Sequence, residues 1–169
     1  EMPYDVAIEK QGPCGMLLLR GDVSARAKFS TCLGMDIPQA PNTVSSAGER
    51  SVLWLGPEEW LLVTSEKDEA HLASELLQTV EGVYAAVIIV SDCYTVLNLS
   101  GTQSLDVLAQ GCGIDIFPEE FIIGQCVCCA FARTTAILRP FKNAGIYQLI
   151  VESSYASYIE LWLRKAAGF

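Results

Sequence analysis

Leu17-Leu18-Leu19-Arg20-Gly21-Asp22 decides the fold of this chain, because the chain repeats its plan in a second place. The stretch has the form of an apolar strand that ends in glycine, and a helical pattern follows it. Leu97-Asn98-Leu99-Ser100-Gly101-Thr102 has the same form and is also followed by a helical pattern. The two glycines lie 80 positions apart, and Gly34 and Asp36 correspond to Gly113 and Asp115 at an offset of 79. Self-similarity at a nearly fixed offset predicts two copies of one supersecondary unit.

Each copy continues with the same succession of elements. Val52-Leu-Trp-Leu55 and Trp60-Leu-Leu-Val63 flank a Gly-Pro-Glu-Glu turn, which predicts a β-hairpin. Apolar residues at helical spacing predict a helix that begins near residue 68, and a corresponding helix over 155–166 closes the second copy. We therefore predict an α+β fold of internally duplicated strand–helix–hairpin–helix units with a mainly antiparallel sheet. Residues 1–169 are expected to form one domain, with pseudo-repeat halves of about 1–82 and 83–169.

Composition limits the classes of function. Hydrophobic residues make up 51% of the chain, which indicates either a large core or a surface meant for partners. The longest uninterrupted apolar run, residues 83–90, has eight residues, whereas a membrane-spanning helix needs about 20. The sequence therefore predicts no transmembrane helix. We also expect no signal peptide, because no charged leader followed by an apolar core stands at the start.

Charge and cysteine usage narrow the partners and the compartment. The net charge is −9, and Lys and Arg together number only 11 without forming a cluster. Phosphate binding uses clustered cations, so we predict no nucleic-acid partner. An acidic surface suits a basic patch on a partner protein. The seven cysteines are odd in number and irregularly spaced, which predicts reduced thiols in a cytoplasmic protein.

His71 is the only histidine, and its position on the helical pattern predicts an exposed surface residue. A catalytic base or a metal ligand needs converging partners. Because there is no second histidine, a histidine-based metal site is excluded, as is a Ser-His-Asp triad centred elsewhere.

The run Cys126-Val127-Cys128-Cys129 invites a metal or redox interpretation. On a strand, Cys126 and Cys128 would point to one face and Cys129 to the other. Structural zinc uses four tetrahedral ligands, usually in two CxxC-type pairs, and this spacing does not match. We predict small apolar packing at these cysteines and no metal site.

Two further patterns have both a structural and a catalytic interpretation. Gly21 and Gly101 occupy strand-to-helix turns, where phosphate-binding loops occur, but neither has the spacing of a nucleotide-binding loop. Glu58-Glu59 and Glu119-Glu120 lie in turns near aromatic residues, where adjacent carboxylates are ordinarily solvated. Acid–base catalysis needs carboxylates in contrasting environments. We therefore predict no catalytic, cofactor-binding or metal-binding residues in this chain.

Several stretches together carry a family resemblance. They are Pro41-Asn-Thr-Val44, Gly48-Glu-Arg50, Leu53-Trp-Leu-Gly-Pro-Glu-Glu-Trp-Leu-Leu-Val63, Ser91-Asp-Cys-Tyr-Thr-Val-Leu-Asn-Leu-Ser-Gly101, Val107-Leu-Ala-Gln-Gly111 and Asp115-Ile-Phe-Pro118. In this order they resemble the gamma subunit of heterotetrameric sarcosine oxidase, and the Trp-Leu-Gly-Pro-Glu-Glu-Trp hairpin is the most specific part. The resemblance implies a fold related to the folate-binding domain of the glycine-cleavage aminomethyltransferase.

The resemblance also implies a role within an oxidoreductase complex. In that family, alpha, beta and delta subunits accompany the gamma subunit, and the complex uses FAD, FMN, NAD and tetrahydrofolate. The complex demethylates sarcosine oxidatively on the beta subunit. No catalytic residue of the gamma subunit is available to carry over, so this chain is expected to be a non-catalytic accessory subunit that binds no cofactor itself.

Two alternatives stay open at this point. The chain is equally compatible with the equivalent subunit of a related N-methyl amine dehydrogenase, such as N-methylglutamate dehydrogenase. The other alternative is a free-standing folate binder. Folate-binding relatives often carry a Lys-Gly-Cys-Tyr-x-Gly-Gln type of motif, of which Phe121-Ile-Ile-Gly-Gln-Cys126 keeps only the Gly-Gln pair.

Four aromatic residues are predicted to face the partner subunits. They are Trp54 and Trp60 of the hairpin and Phe117 and Phe121 of the loop that follows the second copy's first helix. Tryptophan is enriched at the energetic centres of protein interfaces, and aromatic residues near turns are well placed to make such contacts.

Overall fold

The structure is a computed structural model that describes residues 3–116, 121–142 and 145–169. Its chain divides into two compact units. Pro13–Ser91 form one, called the central unit here, and Glu1–Gly12 with Asp92–Phe169 form the other, called the split unit. Every strand pair that the structure describes is antiparallel, so the predicted α+β class with antiparallel sheets is confirmed.

The elements follow one another in a regular order. The split unit supplies the first strand, β1 (Ala7–Lys10). The central unit contains β2 (Gly15–Gly21), α1 (Val23–Leu33), β3 (Val44–Ala47), β4 (Arg50–Gly56), β5 (Glu59–Thr64), α2 (Glu69–Thr79) and β6 (Ala85–Ile89). The split unit continues with β7 (Tyr94–Ser100), α3 (Ser104–Ala109), β8 (Val127–Phe131), β9 (Thr134–Pro140), β10 (Ile146–Glu152) and α4 (Ala156–Ala166).

The two sheets have the same strand order, which is the structural form of the repeat. The central sheet runs β3-β4-β5-β2-β6, and the other runs β8-β9-β10-β7-β1. Position by position, β2 corresponds to β7, the β4–β5 hairpin to β9–β10, and β6 to β1. Apart from the extra edge strands β3 and β8, each unit is a split β-α-β arrangement. In the split unit, the last strand of that arrangement comes from the start of the chain.

This permutation changes where the copies divide. A seam near residue 82 was expected, with halves of about 1–82 and 83–169, but β6 lies beyond that point and pairs with β2 of the central unit. Likewise β1 pairs with β7, far along the chain. The sequence pattern repeats in two consecutive halves. Hydrogen bonding, however, places β6 in the sheet of the first copy and β1 in the sheet of the second.

Each unit has its own apolar core on the helix-bearing face of its sheet. In the central unit, Phe29 of α1 and Leu72 of α2 pack against Leu17, Leu19 and Leu62 of the sheet. The leucines of β2 alternate in register with the pleat, so residues 17 and 19 share that face. The split unit repeats this packing with residues of β7, β10 and α4, namely Leu97, Leu99, Leu149, Ile159 and Leu163.

Gly21, at the end of β2, and Gly101, just after β7, let these two equivalent strands turn into the helices α1 and α3. A Cβ atom on Gly21 would collide with Ala25 in the first turn of α1. Gly101 has a φ of +122°, and a Cβ atom there would collide with the carbonyl oxygen of Asp5. Only glycine combines that backbone conformation with so close an approach. The turn interpretation of both glycines is therefore the one that their surroundings support.

A carboxylate accepts hydrogen bonds at the start of α1 and in the turn that precedes α3. Asp22 caps α1 by accepting a hydrogen bond from the backbone N–H of Ala25 at 2.9 Å. In the split unit, the carboxylate of Asp5 accepts bonds from the backbone N–H and the hydroxyl of Thr102, at 3.2 and 2.6 Å. The N-terminal segment thus supplies the carboxylate as well as the last strand of that unit.

Replacing Gly101 with alanine should destabilise the protein strongly. The new Cβ atom would meet the Asp5 carbonyl, and the left-handed backbone would be strained, which together cost about 2–3 kcal/mol. The measurement is the free energy of unfolding from urea titration of the full chain. Gly12→Ala is the control, because a Cβ atom there meets nothing within 4 Å. An equal effect of both substitutions would contradict this role of Gly101.

The Asp5–Thr102 pair should depend on pH in a defined direction. The hydrogen bond from the Thr102 hydroxyl, followed by that from its backbone N–H, lowers the pKa of Asp5 below its ordinary value of 3.8. A lowered folded-state pKa contributes stability at pH values above the ordinary one, and this contribution is lost as pH falls through the folded-state pKa. The carboxyl ¹³C signal of Asp5 should therefore titrate below pH 3.8, and Thr102→Val should raise its midpoint. Thr31→Val removes a hydroxyl bonded within α1 and should leave the midpoint unchanged.

Candidate functional site

Within the described part of the chain, the side chains with catalytic potential do not converge. The Nε2 atom of His71 lies 3.5 Å from Oε1 of Glu75 one turn along α2, and its side chain is 80% exposed. His71 is thus a surface residue, as predicted. Among the described residues, no group of three or more His, Cys, Asp and Glu side chains is placed to hold a metal ion.

The cysteine-rich run does not follow the predicted alternation. Cys126 and Cys129 are buried and Cys128 is exposed, because β8 begins only at Val127 and Cys126 precedes it. The Sγ atoms of Cys112 and Cys129 are 3.5 Å apart. Burial, followed by the hydrogen bond with Cys112, raises the pKa of Cys129 to about 12. A thiol that stays protonated at neutral pH is a poor nucleophile and metal ligand, which agrees with a packing role.

The four aromatic residues predicted to contact partners have different surroundings. Trp60 is fully buried in the central core, and its indole N–H donates to the carbonyl oxygen of Pro38 at 2.8 Å. It is therefore a core residue and not the surface residue that was expected. Trp54 lies opposite Trp60 on β4 and is half-buried. Phe121 is also half-buried, and its ring stacks on Tyr147 at 6.4 Å; Phe117 lies outside the described residues.

Burial of Trp60 has a simple cause that the turn pattern does not reveal. The hairpin residues alternate between faces, so Trp60 shares the helix-bearing face with Leu62. Its indole N–H needs a partner when buried, and the loop after α1 brings the Pro38 carbonyl to it. Trp54 and Phe121 stay candidates for contact, since both are only half-buried.

A depression of about 640 Å³ lies at one end of the central sheet. Its lining includes Arg20 at the end of β2, Glu58 and Glu59 of the hairpin turn, and Tyr84 before β6. Arg20 and Glu59 form an ion pair at 3.4 Å. The second predicted acidic pair, Glu119-Glu120, lies outside the described residues. The sequence does not show that Arg20 and Tyr84 lie beside the glutamates, because only strand pairing places them side by side.

A buried polar ladder crosses the sheet of the split unit, and no local sequence pattern indicates it. Gln148 of β10 stands opposite Asn98 of β7 on one side and opposite Arg139 of β9 on the other. Its amide nitrogen donates to Asn98 at 3.1 Å and to Gln11, just after β1, at 2.7 Å. Its amide oxygen accepts from Nε of Arg139 at 2.8 Å. Gln148 and Arg139 are only 2% and 4% exposed.

The ladder organises a charged group inside the sheet. The guanidinium of Arg139 also lies over the ring of Phe141 at 4.9 Å, which favours a desolvated cation. A buried arginine is costly without such partners, so the ladder fixes the register of four neighbouring chain segments at once. Its side chains are already bonded to one another, which suits a structural role more than binding of a ligand.

The strand β6 offers the clearest contact surface. It is the edge strand of the central sheet, and Ile88 and Ile89 near its end are 47% and 48% exposed. Tyr84, just before it, is also exposed. Exposed apolar side chains grouped on one element indicate a contact site more than scattered ones do. In the described ranges, no helix is both long and apolar enough to cross a membrane.

These features define an α+β class of protein, built from two antiparallel units of one topology, whose described residues present contact surfaces and not an assembled catalytic cluster. The profile of the sarcosine oxidase, gamma subunit family matches residues 20–168, and the chain therefore belongs to this family.

Individual proteins agree with this assignment. The sarcosine oxidase subunit gamma of Arthrobacter sp is 33% identical over 116 residues, which is 68% of this chain. The aligned part spans only 56% of the length of that relative. Among solved structures, the heterotetrameric sarcosine oxidase from Corynebacterium sp. U-96 contains a chain that matches with a TM-score of 0.90 and 24% identity, over 96% of this chain and 84% of that one.

The fold also extends to a folate-related enzyme. Aminomethyltransferase T of the glycine cleavage system from Bartonella henselae matches with a TM-score of 0.73 and 16% identity. The match covers 95% of this chain and 46% of that one. At these identities the likeness to both structures concerns the fold alone, and it confirms the predicted relation to the aminomethyltransferase fold.

Replacing Gln148 with leucine should weaken the fold of the split unit. The substitution removes an acceptor for a buried guanidinium and two hydrogen bonds to neighbouring amides, a loss of about 3 kcal/mol. Thermal and urea unfolding of the full chain measure this loss. Gln78→Leu, at an exposed position of α2, should change stability by less than about 0.5 kcal/mol. Unchanged stability of Gln148→Leu would show that the ladder does not contribute.

Proposed function

We propose that this chain is a non-catalytic, accessory gamma subunit of a flavin-dependent, heterotetrameric sarcosine oxidase. The observation that carries the proposal is the family match over residues 20–168. Sarcosine is demethylated oxidatively to glycine on the other subunits, with tetrahydrofolate as the one-carbon acceptor. In the described ranges no three His, Cys, Asp and Glu side chains gather into a group that could hold a metal ion, and His71 is exposed on α2. Both observations support an accessory role, since catalysis needs converging groups.

The proposed partners are the alpha, beta and delta subunits of such a complex. They hold FAD, FMN, NAD and tetrahydrofolate, and this chain holds none of these. The complex is proposed to be cytoplasmic, which the odd number and irregular spacing of the seven cysteines support. The solved structure of similar fold supports assembly, because it is described as a heterotetrameric sarcosine oxidase.

Tetrahydrofolate, which the aminomethyltransferase-like fold implies, does not fit the depression of the central unit or the Gly-Gln pair of this chain. The depression of the central unit carries Glu58 and Glu59 on its lining, and its only guanidinium is already paired with Glu59. The glutamate tail of folate is anionic and would be repelled there. The Gly-Gln pair at residues 124–125 is no better suited, because the Gln125 amide oxygen accepts the backbone N–H of Ile122 in its own turn at 3.0 Å.

Co-expression with the alpha, beta and delta subunits of a sarcosine oxidase from the same organism tests the proposal. A tagged form of this chain should retain two much larger chains and one small one, with the absorption spectrum of bound flavin. The retained complex should oxidise sarcosine, and the isolated chain with added FAD and FMN should not. Faster oxidation of N-methylglutamate than of sarcosine would instead indicate the related dehydrogenase. Oxidation of sarcosine by the isolated chain would contradict the accessory role.

The isolated chain should also give no heat of binding with tetrahydrofolate in calorimetry. Saturable binding would favour the free-standing folate binder over the accessory subunit. Glu58→Gln together with Glu59→Gln serves as the matched variant, because it removes the carboxylates but keeps the shape of the turn. If repulsion at the depression is the only obstacle, the double variant will bind tetrahydrofolate and the wild-type chain will not.

A further inference from the structure

We propose that β6 is a docking strand, to which an extended segment of a large subunit adds as a sixth strand of the central sheet. This inference rests on the proposed function and specifies the surface by which the chain would join its complex. It follows from the hydrogen bonding, composition and exposure of one element, and each of these is independent of the family match.

The register of β6 shows which backbone groups are available. The N–H of Val90 donates to the carbonyl oxygen of Met16 on the β2 side at 2.8 Å. In an antiparallel pair, residues bonded to the neighbouring strand alternate with residues that point away from it. The backbone N–H and C=O groups of Ala86, Ile88 and Val90 therefore point toward β2. The N–H and C=O groups of the intervening residues, Ala85, Val87 and Ile89, point to the edge.

A second hydrogen bond agrees with this alternation of inward-facing and outward-facing backbone groups. Gly21 stands opposite Ala85, and its N–H donates to the carbonyl oxygen of Glu58, on the other side of β2. The Gly21–Ala85 pair is thus one that does not exchange hydrogen bonds. Among the described residues β6 pairs only with β2. The outward groups of β6 form a template for one further strand.

The composition of β6 lacks the usual protection of an edge strand. Natural sheets guard their edges with charges, prolines, bulges or very short strands. Residues 83–90 contain no charged residue, no proline and no glycine. By contrast, the edge strand β1 ends in Glu9 and Lys10, and β3 has only four residues, two of them serine. An unguarded edge is an aggregation hazard unless a partner covers it.

Exposure extends to both faces beside this edge. Ile88 and Ile89 are adjacent in the strand, so their side chains point to opposite faces, and each is about half exposed. The remaining edge strand, β8, differs in two ways. Residues 111–113 bond to its end at Ala130 and Phe131, and its exposed side chains are the small ones of Cys128 and Ala130. Large apolar side chains on both faces suit a partner strand whose own β-branched or aromatic side chains pack beside them.

A large subunit is a better occupant than a second copy of this chain. Two copies would bring together net charges of −9 each, which repel. Pairing of two five-residue strands alone would also bury far less than the roughly 1,200–2,000 Å² of a stable interface. A large subunit can extend the contact beyond the strand and carry compensating basic residues. The proposed segment is therefore an uncharged, extended stretch within a larger and more basic surface.

Ile89→Lys tests the proposal in the co-expressed complex. A lysine at the paired edge would lose its hydration on assembly, so the tagged variant should retain the large subunits at least about tenfold less tightly than the wild type. The control is Leu77→Lys, which adds the same charge at a 51% exposed position of α2. Both variants should match the thermal unfolding of the wild-type chain, because both side chains are half exposed.

Hydrogen exchange gives a readout that needs no variant. The amides of Val87 and Ile89 point to the edge and should exchange rapidly in the isolated chain and at least about tenfold more slowly in the complex, as bonded amides do. Equal exchange in both states would overturn the proposal, as would equal retention by Ile89→Lys and Leu77→Lys. A wild-type chain that retains no large subunit would overturn the proposed function as well. A dimer of the isolated chain that Ile89→Lys dissociates would assign the edge to a second copy.

Discussion

Close approach of neighbouring atoms at the ends of the equivalent strands β2 and β7 is the constraint on which the rest of the structure depends. At Gly21 and Gly101 the strand passes into a helix within a space that admits no Cβ atom. That passage sets the first helix of each unit above the strand it follows, where an apolar stripe such as that of α1 meets the leucines of β2. The remaining elements of each unit then cover the same face, because a sheet that is apolar on one side is stable only when that side is buried.

The second consequence is the way in which the chain completes its sheets. In the central sheet, β2 is flanked by β6, which follows later in the same unit. In the other sheet, the equivalent strand β7 is flanked by β1, which comes from the start of the chain. Asp5 accompanies β1 and bonds the turn after Gly101. The two equivalent edges are thus unlike in chemistry, since β1 carries Glu9 and Lys10 and β6 carries only apolar residues. A protein that protects one edge and leaves its counterpart unguarded is organised for contact at the unguarded edge.

Most elements could be predicted because their signals are local. The hairpin around residues 56–59, the helices and the strand-ending glycines all follow from periodicity and turn residues within short windows. Trp60 and the polar ladder could not be predicted in this way. The turn pattern around Trp60 does not show that both faces of β5 are buried. Gln148 is bonded to residues as far away in sequence as Gln11. The short strand β3 was also missed, because its serines and the neighbouring turn residues favour a loop.

The sequence by itself determined the class of fold, the duplication, the exclusion of histidine-based chemistry and the family resemblance, because these depend on residue types and spacings along the chain. Only the tertiary structure decided that β6 belongs to the central sheet, that Arg139 is held by Gln148 and that Ile88 and Ile89 stand at an open edge. The physical reason is that strand pairing and burial join residues that are distant in sequence. Local propensity sets which segments become strands, whereas the choice of neighbour comes from hydrogen bonds and apolar contacts made across the folded chain.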